Sequence, residues 1–163
     1  MKYHKIDSKL FIKNRKNFLN RMKPNSIAFF NSNDIYPVSA DSTLPFEQHR
    51  DIFYLSGVDQ EESILMLCPG SSDQNLKEVL FLKETDDRIA VWEGPKLNKK
   101  QAFETSGIKS VFWLDEMENV IYKLMRECKT IYFNHNEHYR AKIEMETREE
   151  RFNKWLEGKY PNK

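Results

Sequence analysis

The sequence predicts an α/β layered domain with one mixed β-sheet flanked by helices. Three observations carry that prediction. In the second half, apolar segments of strand length alternate with amphipathic stretches of helical period. Residues 63–68 form an unbroken apolar run after Ser63, as expected for a strand covered on both faces. A turn signal at residues 69–73, Pro-Gly-Ser-Ser-Asp, separates that run from another at 78–82. The two runs therefore pair as a hairpin, which makes the sheet mixed rather than wholly parallel.

Each element has a local cause. A first helix is expected from a Ser8 cap to about Met22, with Phe11, Arg15, Phe18 and Met22 on one face and Leu19 beside it. Lys23-Pro24-Asn25 stops it, and residues 26–30 follow as a buried strand. Residues 31–45 carry Asn-Asp, Tyr-Pro and Leu-Pro breaks and read as an ordered loop. Residues 53–57 read as a second strand, and 63–68 and 78–82 as the third and fourth. Residues 89–92 read as a short extended piece. A helix over 97–106 closes at Gly107, and 111–113 is a strand. Asp115 is expected to cap a helix with Glu118 at the capping-box position. Its apolar stripe is Met117, Val120, Ile121, Leu124, Met125 and Cys128. Residues 130–133 form the last strand. Residues 139–156 read as a charged surface helix, and Gly158, Pro161 and Asn162 as a linker.

Composition excludes several classes. A chain of 163 residues is one domain by length. It is long enough to bury roughly 70% of its unfolded surface. The net charge of +1 supplies no basic face, so no nucleic-acid partner is expected. No window is apolar enough for a membrane span, and the charged N-terminus is not a signal region, so a cytoplasmic location is expected. Cys68 and Cys128 lack metal-ligand spacing and read as buried reduced thiols. Phosphate-loop, dinucleotide and H-E-x-x-H motifs are missing. His135 and His138, three apart, read as a polar loop rather than metal ligands. The tandem acids Glu61-Glu62, Asp86-Asp87 and Glu149-Glu150 read as solvated surface.

One block stands out, residues 46–57, Phe-Glu-Gln-His-Arg-Asp-Ile-Phe-Tyr-Leu-Ser-Gly. Phe46, Phe53, Tyr54 and Leu55 supply apolar anchors. Asp51 suits capping of backbone amides, and Gly57 permits a backbone conformation that other residues avoid. With Asp41 upstream and Trp92-Glu93-Gly94-Pro95-Lys96 downstream, the pattern resembles the N-terminal domain of Xaa-Pro aminopeptidases (aminopeptidase P) of the creatinase/prolidase kind. Phe46, Gln48, Asp51, Tyr54, Leu55 and Gly57 match the family segment. Glu47 replaces its arginine, His49-Arg50 its small polar pair, and Lys96 the arginine of the second motif.

The resemblance implies a ribonuclease H-like fold over residues 1–157, with 158–163 opening a linker to a C-terminal catalytic domain. It implies that this chain binds no cofactor. Catalysis in the family uses two divalent ions, typically manganese, held by that second domain, so the chain alone is expected to be inactive. It also implies a homo-oligomer, dimer or tetramer, acting on proline-containing peptides, with Trp92 beside the substrate cleft. Asp41, Phe46, Gln48, Asp51, Tyr54, Leu55, Gly57, Glu93, Gly94 and Lys96 are then mainly structural. Two alternatives share the fold: a stand-alone peptide- or protein-binding module, and the N-terminal domain of a prolidase.

Overall fold

Five strands share one sheet in the computed structural model, which describes residues 4–136, 138–139 and 146–163 and, of Asp87 and Trp92, the backbone alone. The strands are β1 (Ser26–Asn31), β4 (Ser63–Leu67), β5 (Glu78–Leu82), β6 (Ser110–Trp113) and β7 (Thr130–Tyr132). Their order is β6-β5-β4-β1-β7. β4 runs antiparallel to both β1 and β5, whereas the outer pairs β5/β6 and β1/β7 are parallel. The predicted hairpin is present, and the sheet is mixed. A second, two-stranded sheet pairs β2 (Pro37–Ser39) with β3 (Ser42–Thr43), so the expected loop over 31–45 contains a small hairpin.

Strand alternation divides the core into two layers. Ile27, Phe29, Ile64, Met66, Val79 and Phe81 face α5 (Met117–Leu124) and α6 (Arg148–Lys159). Ala28, Phe30, Leu65, Leu67, Leu80 and Leu82 face the opposite layer with Ile52, Leu55 and Ala102. That layer holds α1 (Ser8–Leu19), α2 (Arg50–Ser56) and α4 (Lys99–Ser106). All five β4 residues are buried, which is why its sequence is apolar without alternation.

Several local expectations are corrected. Residues 53–57 are not a strand; they end helix α2, in which Ile52 and Leu55 share the buried face at helical spacing. Residues 89–92 belong to helix α3 (Asp87–Glu93), whose cap Asp86 accepts from the amides of Arg88 and Ile89. Asp7, not Ser8, caps α1. Asn98 caps α4 in a reciprocal box with Gln101. Glu116 precedes α5 in place of Asp115 and accepts from the Trp113 amide at 2.8 Å. The last helix starts at Arg148 and includes Gly158; the part of its expected range at 140–145 lies outside the described residues.

Candidate functional site

The motif block begins as a loop and becomes α2. His49 caps that helix, its Nδ1 accepting from the Asp51 amide at 3.3 Å. Asp51 is exposed in the first turn, so the capping role assigned to it belongs to its neighbour. Tyr54 is exposed as well, and the buried apolar anchors of the helix are Ile52 and Leu55. Gly57 ends the helix at φ 70°, and a Cβ there would lie 2.2 Å from the Phe11 ring. Only glycine meets both demands.

Gln48 starts a polar seam that joins the block to the second motif. Its Nε2 donates to the carbonyls of Val58 (3.1 Å) and Gln60 (2.8 Å), and its Oε1 accepts from the His49 amide. Gln60, itself buried, accepts from the Leu97 amide at 2.7 Å through Oε1. Lys96 is almost fully buried and pairs with Glu61. Lys83 reaches Glu62 (3.1 Å) and Glu93 (2.9 Å). The Lys83 hydrogen bond holds the Glu93 carboxyl below its ordinary value. Glu61 is thus an ion-pair partner and not the solvated surface expected of it. Lys96 spends its charge inside the domain.

These links position α3 and residues 94–97 along a cleft of about 740 Å³ whose walls include Phe11, Gly57, Gln60, Glu93, Gly94 and Lys96. Trp92 occupies the last turn of α3; its side chain lies outside what is described, and its neighbour Val91 is 77% exposed. Asp41 sits apart, in the exposed turn between β2 and β3, beside Ala40 at φ 49°. Phe46 is half-buried and Glu47 exposed.

A second cleft of about 470 Å³ lies beside Asp34, Tyr36, His49, Arg148 and Glu149. Glu149 is buried, 3.4 Å from His49 Nε2, and burial pushes its carboxyl above the usual range. Asp34 accepts from the Arg148 amide at 2.7 Å and pairs with Arg151. The sequence gives no periodic signal for this junction, because its partners lie about a hundred residues apart. Among the described residues, no group of three His, Cys, Asp or Glu side chains can hold a metal ion. Glu78, the one acid within the strands, is engaged by Arg15. The described residues do not fit a two-metal centre.

The sequence profile of the aminopeptidase P N-terminal domain matches residues 11–132. The chain belongs to the aminopeptidase P N-terminal domain family. The domain is 27% identical over 138 residues to Escherichia coli Xaa-Pro aminopeptidase, covering 85% of this chain and 31% of that protein. It is 28% identical to human Xaa-Pro aminopeptidase 3 over 63% of this chain and 21% of that one. Among solved structures, a Bacillus anthracis protein described as a candidate aminopeptidase P superimposes with TM-score 0.82 at 26% identity. That match covers 96% of this chain and 37% of the other. The E. coli aminopeptidase P structure gives 0.71 at 26%, over 83% and 31%. This aminopeptidase P N-terminal domain therefore spans about a third, or less, of the length of these relatives. No helix among its described residues is long and apolar enough to cross a membrane.

Proposed function

We propose that this chain serves as the noncatalytic N-terminal domain of a metal-dependent Xaa-Pro aminopeptidase. It walls the substrate cleft, limits access to peptides with proline in second position, and contributes to a homo-oligomer. The observation that carries the reading is the construction of the α3 segment. Residues 83–97 are fastened by ion pairs and one amide hydrogen bond, while Val91 stays exposed beside Trp92. A segment held this firmly, with apolar surface left uncovered, suits contact with something outside the domain. A tryptophan there offers a flat face on which a prolyl ring packs, and proline presents no N–H that needs a partner. The hairpin around Asp41 supports the oligomer in the same way, since Ile35, Val38 and Leu44 are exposed near it.

The two divalent ions, with manganese the expected metal, belong in this reading to the C-terminal domain. The domain described here orients and encloses. Its location follows the parent enzyme, expected in the cytoplasm. The test joins residues 1–163 to the catalytic portion of the parent enzyme and measures Xaa-Pro peptide cleavage with manganese. The catalytic portion alone is the comparison. Cleavage that depends on the joined domain supports the reading; equal activity without it overturns the role in the cleft.

A further inference from the structure

On the sheet face away from the motif segments, Cys68 follows β4 and Cys128 follows α5. Their Sγ atoms lie 3.4 Å apart and both side chains are buried. Each backbone is pinned. The Cys68 amide donates to the Lys77 carbonyl at 2.9 Å, and the Cys128 amide donates to Leu124 at 3.1 Å. Two elements distant in sequence thus present two thiols to each other in van der Waals contact. A disulfide needs the sulfurs to close from 3.4 Å to ~2.05 Å.

We propose that Cys68 and Cys128 are a modification site, oxidised by a peroxide to an internal disulfide between β4 and the end of α5. The chemistry is asymmetric. The hydrogen bond between the two thiols holds Cys128 below its ordinary value, with burial and Glu127 opposing and the Lys163 charge assisting. The same bond, together with burial, pushes Cys68 up. Both thiols are buried, but Cys128 sits between the exposed residues Glu127 and Lys129, so its sulfur is the one that meets the oxidant first. Its sulfur takes an oxygen from hydrogen peroxide, releasing hydroxide and leaving a sulfenic acid. Cys68 sulfur then displaces that oxygen as hydroxide. Two thiols and one peroxide become one disulfide and two waters.

Treating the folded 163-residue chain with hydrogen peroxide is expected to lower its intact mass by ~2 Da and remove both free thiols. A peptide linking residues 68 and 128 should appear, and dithiothreitol should reverse the change. The bridge closes a long loop, so the melting temperature should rise by roughly 5–10 °C. Cys68→Ser and Cys128→Ser should each abolish the linked peptide and the rise in melting temperature. Mass gains of whole oxygens in the wild type with no linked peptide, or two thiols surviving the peroxide, overturn the proposal.

Discussion

Arg15 Nε donates to a Glu78 carboxylate oxygen at 2.8 Å, joining the middle of α1 to the start of β5 from a wholly buried position. The same guanidinium, through Nη1, donates to the carbonyls of Leu55 (2.8 Å) and Ser106 (2.9 Å). Those carbonyls end α2 and α4, and both helices stop at a left-handed glycine, Gly57 and Gly107. The two ends are built alike. Ser56 and Ser106 each donate back one turn, to Ile52 and Ala102, and each accepts from the amide two residues on. One cation thus satisfies two helix C-termini, where its charge also opposes the helix dipoles.

Removing that cation should be costly. Arg15→Ala leaves two buried carbonyls without a donor and Glu78 without its partner. Glu78 is about a third exposed, so water recovers part of the loss. The expected destabilisation is about 2–4 kcal/mol. Urea unfolding of Arg15→Ala, Glu78→Gln and the double variant checks it, with the double variant less than additive.

Two glycines should respond in opposite directions. Gly57→Ala combines a positive φ with a clash against Phe11 and should cost about 2–4 kcal/mol. Gly158 lies inside α6 with open space at its Cβ position, so Gly158→Ala should stabilise by about 0.5–1 kcal/mol. Thermal melts of the two variants decide both.

Lys96 and Glu61 should be strongly coupled. Each is mostly buried, so deleting either strands the other. A double-mutant cycle of Lys96→Met and Glu61→Gln is expected to give a coupling of about 1–3 kcal/mol. A coupling near zero would mean that the pair does not hold residues 94–97.

Glu149 should give a pH signature. Its carboxyl is raised by burial, with His49 and His135 pulling the other way. The folded state therefore keeps the proton longer than the unfolded chain. That contribution favours folding below the ordinary glutamate value of 4.5 and is lost as pH rises from there through the raised value. Unfolding curves of wild type and Glu149→Gln should diverge across that window, with the variant gaining relative stability toward neutral pH.

In the joined enzyme, Trp92→Ala should lower kcat/KM for Xaa-Pro peptides by roughly 5–30-fold, the loss of one aromatic packing face. Unchanged kinetics would remove Trp92 from the cleft.

The inner strands of the main sheet were legible because burial on two faces leaves runs of apolar residues, as in residues 64–67. Gly107 was legible as a helix stop because such a stop needs positive φ, whereas Gly57 was read only as a residue with special backbone freedom at the end of a strand. The short helices α2 and α3 were not. Seven residues hold barely two turns, too few for a helical period to stand out against an aromatic run. The cap of α2 is a histidine, a residue type that does not announce a helix start, and Asp86, which caps α3 with two amide hydrogen bonds, stands in an acidic pair that reads equally as surface.

The sequence alone determined the layered α/β class, the hairpin at the centre of the sheet and the family, because these rest on local composition and on motifs read along the chain. Only the tertiary structure decided where the charges go. It showed Arg15 between two helix ends, Lys96 turned inward to Glu61, Glu149 against His49, and two thiols in contact. Each of those pairings spans from 35 to 100 residues of chain. Ion pairs and hydrogen bonds at that separation depend on how layers pack, and packing is a property of the folded whole.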